Sequence, residues 1–286
     1  MIDCRKFLQG SREWLQDYIK SNHLKSLIIG VSGGIDSTVT CAIVQPVCYD
    51  LGIPLIGRSL PTTTNVPEEN NTALLVGQAF CTDFKVENIS EECQKIIYEL
   101  ELKEGELTRL QEGNVKARVR MIYLYNLASI HRGCVLDTDN KTEHELGFWT
   151  IHGDVGDLNC GLIYLWKTEV YELANYLLTG FEILSTRTKE IDLAIQALRK
   201  SIALTPTDGN GVMAGGDCAQ FGLDNYEQVD DVLKTMYFKA GMDSSEYTRL
   251  IDSYNEQGVD KVMLLHQNSE FKREHLPICP SSIDLI

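Results

Sequence analysis

The chain has 286 residues, enough for one large α/β domain or two smaller ones and for a sizeable core. Its 26 Lys and Arg stand against 41 Asp and Glu, a formal charge of −15 that argues against a broad nucleic-acid-binding surface but leaves room for a few basic residues around a small anion. The nine cysteines form no CxxC pair, which removes support for a zinc ribbon or a thioredoxin-like motif. With a charged amphipathic N-terminus and no run of about 18 apolar residues, the expectation is a cytoplasmic protein with reduced thiols and no membrane span.

Taken in chain order, residues 5–22 set Phe7, Leu8, Trp14, Leu15, Tyr18 and Ile19 near one helical face, and "SLIIGV" (26–31) reads as a buried strand. A helix from Asp36 to Tyr49 follows, then a strand over 53–60, a helix from Pro67 to Cys81 and a strand over 84–89. Such alternation marks a parallel sheet with crossover helices. Residues 90–131 read as two helices, the second opening with Lys116, Arg118 and Arg120, and "GCVLDTD" (133–139) as another buried strand. "GLIYL" reads as a strand or turn, "WKTEVYELANYLL" and 187–204 as helices, and the tail from 226 as helical, closing in a Pro-containing coil. Glycines at 209, 211, 215, 216 and 222 make Thr205 to Asn225 an expected mobile loop and a candidate lid over a nucleotide.

The stretch "LIIGVSGGIDST" (27–38) joins the first strand to the first crossover helix. Glycines there let backbone amides approach a phosphate, so Gly33 and Gly34 suit an anion, and the hydroxyls of Ser32, Ser37 and Thr38 can donate to the same oxygens. Asp36 would repel a phosphate directly, which points to a bridging magnesium ion. A tight strand-to-helix turn with Asp36 in the first helical turn is the plain alternative. The string is neither a Walker A loop nor GxGxxG.

"SGGIDS" resembles the SGGxDS pyrophosphate loop of the N-type ATP pyrophosphatases, and "GNVKARVRM" (113–121), "TDNKTE" (138–143), "GFWTIHGD" (147–154) and "PTDG" (206–209) are similar, in the same order, to motifs of the ammonia-dependent NAD synthetases. The resemblance runs from the opening helix to "SEFKREHLP" (269–277). It implies one domain over 1–286: an α/β fold of the adenine-nucleotide α-hydrolase-like, Rossmann-like kind, a parallel sheet flanked by helices with helical C-terminal additions. It implies amidation of deamido-NAD by ammonia through an acyl adenylate, with ATP converted to AMP and pyrophosphate. It further implies that Ser32, Gly33, Gly34, Ile35, Asp36, Ser37, Thr38, Thr138, Lys167 and Thr207 bind ATP and that Asp36 and Glu143 hold Mg2+. Asn114, Arg118 and Lys272 would face the acceptor, with Asp36, Lys167 and Asp154 as the catalytic set, in a homodimer fed by free ammonia or a separate donor protein. Read from the residues alone, Thr138 ends a buried strand on its carboxyl side, where α/β sheets bind ligands, and Glu143 follows five residues later, near enough to share a cation with Asp36.

Several positions depart from the family pattern. "LPTTTN" (60–65) stands for LPYGxQ, Asp137-Thr138-Asp139 for GTD, Ile151 for a lysine and Phe271-Lys272 for a His-Lys pair. An aspartate of the family falls at Leu158, with Asp157 one residue away. Most of these belong to the acceptor side, where Lys141, His152 or Lys272 would have to compensate for the missing lysine. The alternatives are a ligase of the same ATP chemistry acting on another carboxylate, a non-catalytic nucleotide-binding module, and a tRNA-thiolating enzyme, the last disfavoured by the acidic charge and the missing CxxC.

Overall fold

The computed structural model describes residues 2–207, 216–238, 243–274 and 277–281. Five parallel strands, β1 (Leu27–Gly30), β2 (Leu55–Ser59), β3 (Asp83–Val86), β4 (Cys134–Asp137) and β5 (Leu158–Asn159), lie in the order β3-β2-β1-β4-β5. Leu27 is in register with Leu55 on one side and Cys134 on the other. The strand order reverses at β1, so β1 and β4 diverge at their carboxyl ends and open the crevice where α/β sheets bind ligands.

The sheet is covered on both faces, which is why β1 reads as an unbroken apolar run rather than an alternating one. Leu27 and Ile29 point into a core shared by α1 (Cys4–Ser21), α2 (Ile35–Leu51), α3 (Pro67–Phe80), α7 (Lys167–Glu182) and α8 (Lys189–Ala203). Ile28, between them, points the other way, into a core with α4 (Ser90–Glu104) and α5 (Arg109–His131). The helix α2 is buried on nearly all sides, so its apolar residues make no single stripe. A third cluster joins Leu146 and Trp166 to the C-terminal helices α9 (Asp217–Phe221), α10 (Tyr226–Phe238), α11 (Ser244–Ser253) and α12 (Glu256–Asn268).

Expectation and structure agree on α1, β1 and α2 to within a residue or two, and the residues 90–131 are two helices as read. The strand expected over 84–89 ends at Val86, and the larger differences lie after β4. A short helix α6 (Lys141–Leu146), capped by Asn140, follows it, and of the strand or turn expected over "GLIYL" it is the turn that forms, a 3-10 turn at Leu162–Tyr164. The strand beyond β4 is instead the pair Leu158–Asn159, with Ile278 of the tail bridged to Leu158 along the sheet edge. The expected loop 205–225 is corrected in its second half: Asp217–Phe221 is helical, with Phe221 buried in the third cluster. Its residues 208–215 lie outside the described residues, and with them most of the candidate lid. A final short helix, α13 (Glu270–Arg273), precedes the tail. Among the described residues no helix is long and apolar enough to cross a membrane.

Candidate active site

The loop between β1 and α2 is built by tertiary contacts as much as by its own glycines. Gly33 has φ +86°, and a Cβ there would lie 2.6 Å from the Glu69 carbonyl oxygen and 2.7 Å from the Ala73 nitrogen of α3. That combination of left-handed backbone and close approach admits glycine alone. Gly34 is the N-cap of α2 and brings no side-chain acceptor, so the first amides of the helix are not covered by a cap. Ser201 of α8 is fully buried, donates to the Gly33 carbonyl at 3.1 Å and shares a 2.7 Å hydrogen bond with the Thr38 hydroxyl, which also bonds the Gly34 carbonyl. Ser32, Gly34, Ile35, Asp36 and Ser37 line a cavity of about 420 Å³, whereas Gly33 and Thr38 are not among its lining residues.

Three elements converge on one cation in the lining of this cavity. The Lys167 ammonium, at the start of α7 and almost wholly buried, donates to Asp36 Oδ2 at 2.5 Å and to Glu143 Oε1 at 2.9 Å. Burial alone would pull the Lys167 pKa down, but Asp36 and Glu143 raise it well above its ordinary value, so the ammonium is held charged. Burial pushes the Glu143 carboxyl up to about 7, with Lys167 opposing the rise and Asp36 adding to it. Asn140 completes the frame: its amide donates to Asp36 Oδ1 at 2.8 Å, and its backbone nitrogen to Glu143 Oε2 at 3.2 Å in the capping box of α6. Two carboxylates gathered around a buried positive charge are a donor set for a hard cation, and magnesium commonly takes one or two carboxylates together with phosphate oxygens.

The remaining expected residues divide between two walls. Thr138, Asp154, Asn114, Lys272 and Thr207 all line the same cavity. Asp154 accepts from the Thr150 nitrogen at 2.6 Å, and Thr150 in turn donates to Asn114 Oδ1 at 2.8 Å, tying the 147–154 loop to α5. The Lys272 ammonium is engaged by the Gly147 carbonyl at 2.7 Å and by the Trp149 carbonyl. Thr207 hydrogen-bonds the buried Glu69, which also accepts from Asn65.

Arg118, however, is exposed and donates to the Ile151 carbonyl at 3.3 Å, lining with Ile151, His152 and Asp157 a second depression beside the first. On the same helix it is Arg120 that enters the main cavity, bonding the Leu60 carbonyl at 3.1 Å and Asn65 Oδ1 at 3.3 Å. Leu158 is fully buried in β5, and Asp157 accepts from the Tyr125 hydroxyl outside the main cavity, so neither puts a carboxylate there. Phe271 is 59% exposed, and Lys141 stands over the Trp166 and Tyr237 rings, outside the cavity lining. Sequence reading missed Asn140, Arg120 and Asn65; only Asn140 carried a local signal, as an N-cap residue three positions before a glutamate.

Against this geometry, a model of the NAD synthase family matches residues 7–276. The chain belongs to the NAD synthase family. Among its relatives, the NH(3)-dependent NAD(+) synthetase of Helicobacter pylori (strain P12) is 31% identical over 175 residues, 61% of this chain and 65% of that protein, so the aligned part spans just under two thirds of the relative's length. The NH(3)-dependent NAD(+) synthetase of Thermoplasma volcanium is 26% identical over 274 residues, 96% of each chain. Solved structures that share this fold include the following two. The NMN synthetase of Francisella tularensis superposes with a TM-score of 0.73 at 23% identity, covering 98% of this chain and 100% of that one. The NH3-dependent NAD synthetase of Campylobacter jejuni does so with a TM-score of 0.67 at 21% identity, covering 97% and 99%.

Proposed function

We propose that this chain, read over 1–286 as one unit, amidates deamido-NAD with ammonia, forming NAD, AMP and pyrophosphate by way of an acyl adenylate. The observation that carries the reading is the Lys167 ammonium between Asp36 and Glu143 at the mouth of the glycine loop. The uncapped first amides of α2, with Ser32 and Ser37, receive the ATP phosphates, while Thr138 and Thr207 line the nucleotide side of the cavity. Asp36 and Glu143 would hold magnesium; bound there, it neutralises phosphate charge and favours departure of pyrophosphate. Lys167, itself almost wholly buried, brings a permanent positive charge to the same place, where charge builds on the leaving group. Asn114, Thr150, Asp154 and Arg120 line the same cavity, and in this reading they orient the acceptor carboxylate toward the α-phosphate. Arg118 acts from the second depression, on the part of the acceptor that extends beyond the main cavity. A homodimer formed over the outer face of α5, where Ile122 and Ile130 are each 63% exposed, belongs to this reading.

The test is a turnover assay with ATP, magnesium, ammonium and deamido-NAD, followed by identification of the nucleotide products. NAD with equimolar AMP and pyrophosphate supports the proposal. ADP would overturn the ATP chemistry. AMP release with another acid, such as nicotinate mononucleotide, and none with deamido-NAD would keep the ATP chemistry and overturn the acceptor.

A further inference from the structure

The helix α7 begins with the residue that matters most; its own Glu169 covers the Trp166 nitrogen at 2.9 Å, but no side chain of its own covers the next amides. Its N-cap is Trp166, which offers no acceptor, so the amides of Lys167 and Thr168 must find partners elsewhere. They find them in two other helices. The Lys167 nitrogen donates to the Thr142 hydroxyl of α6 at 2.8 Å, and the Thr168 nitrogen donates to Asp230 Oδ2 of α10 at 2.9 Å. The Thr168 hydroxyl reaches the same oxygen at 2.7 Å, and the Thr142 hydroxyl donates to Asp230 Oδ1 at 2.5 Å. Asp230 is 1% exposed, and both of its oxygens are committed to these donors. Its carboxylate therefore stands where a capping side chain would, at the positive end of α7, while it also holds α6, the helix that carries Glu143.

Four residues earlier on α10, and so on the same side of the helix, the buried Tyr226 ring lies 5.2 Å from the Lys167 ammonium. One face of α10 thus reaches the Lys167 side chain through Tyr226 and its backbone nitrogen through Thr142, which Asp230 holds. We propose that Asp230 is a positioning residue for Lys167 and Glu143: a cap supplied from the C-terminal helices that fixes the start of α7 against α6 and so sets the ammonium between its two carboxylates. It touches no reacting atom; it acts through Thr142 and Thr168. A shift of about 1 Å in such a group is enough to cost a large part of the rate.

The inference rests on the ATP reading above and is tested by a double-mutant cycle on turnover. Asp230→Asn keeps size and one oxygen but puts an NH2 group opposite hydroxyl or amide donors; the expected loss in kcat is about ten- to hundredfold, with KM for ATP changed less than about threefold. Lys167→Arg keeps the charge and misplaces it. If Asp230 works through Lys167, adding Asp230→Asn to Lys167→Arg costs much less than it does in the wild type, a non-additivity that a merely structural residue would not give. Thermal unfolding of each variant sets an assay temperature at which all are folded. If Asp230→Asn does not fold, Thr142→Val, which removes the hydroxyl joining Lys167 to Asp230, carries the same cycle. Unchanged kcat in a folded variant, or losses that simply multiply, would overturn the inference. A wild type that releases no AMP would instead overturn the ATP reading, so the two failures are distinguishable.

Discussion

Asp137, which stands where the family pattern has glycine, gives a prediction that can be worked through in numbers. It is fully buried at the end of β4, where Oδ2 accepts from Asn159 Nδ2 at 2.6 Å and Oδ1 from the Gly156 nitrogen at 3.3 Å. Burial raises its pKa from 3.8 to about 6, although these hydrogen bonds pull the other way. In the pH range between those values the folded chain binds a proton that the unfolded chain has lost, so stability falls as pH rises. The contribution is fully present below about pH 4 and gone above about pH 6. A shift of about two pK units corresponds to roughly 3 kcal/mol in all, of which about 2 kcal/mol falls between pH 4.5 and 7.5. In Asp137→Asn that slope disappears. The variant also turns an NH2 group toward the Gly156 amide, at a cost of about 1–3 kcal/mol that does not depend on pH. The quantity to measure is therefore the difference in unfolding free energy, variant minus wild type, from urea titrations followed by circular dichroism. It should rise by about 2 kcal/mol from pH 4.5 to 7.5. A difference that stays flat across this range would refute the account of a buried, proton-hungry Asp137.

Three further outcomes follow from the site. Asp36→Asn takes one of two carboxylates from the buried Lys167 ammonium and, on the proposed reading, removes a magnesium ligand, so kcat should fall by at least about a hundredfold and the thermal midpoint should drop as well; turnover within a few fold of wild type, at a temperature where the variant is folded, would exclude the assigned role. Gly33→Ala would drive a Cβ into the α3 backbone at a left-handed φ and should cost about 2 kcal/mol or more of stability, or displace the loop and raise the KM for ATP, with wild-type melting and KM together contradicting the close approach. Ile151→Lys adds a cation beside Arg118 and His152 in the second depression, where a charge-assisted hydrogen bond of about 1.5–3 kcal/mol should lower the KM for deamido-NAD about tenfold or more; an unchanged KM would mean that the acceptor does not reach this wall.

What could be read from the sequence was what is local. The run from Leu27 to Thr38 announces a strand, a glycine turn and a helix because each feature lies within a few residues of the next, and the structure assembles these three elements in that order. The strand β5 could not be read: it has two residues, one of them Asn159, and it exists because Asn159 is buried against Asp137 and because Ile278, some 120 residues later, closes the edge. Arg118 and Arg120 go to different depressions for a geometric reason. Residues two apart on a helix point about 200° away from each other, so only one can enter the cavity, and which one depends on how α5 lies on the sheet.

Lys167 illustrates the remaining difficulty. In sequence it is a lone lysine, and its link to the site came only through resemblance; its partners Asp36 and Glu143 are 131 and 24 residues away, and the Asp230 carboxylate that caps its helix comes from beyond the glycine-rich segment. A buried ammonium costs several kcal/mol unless its counter-charges are fixed in place before it arrives. The elements that fix them, the capping box of α6 and the start of α7, are themselves pinned by a helix of the C-terminal cluster. The C-terminal helical additions are for this reason part of what holds the Asp36–Lys167–Glu143 side of the cavity in shape.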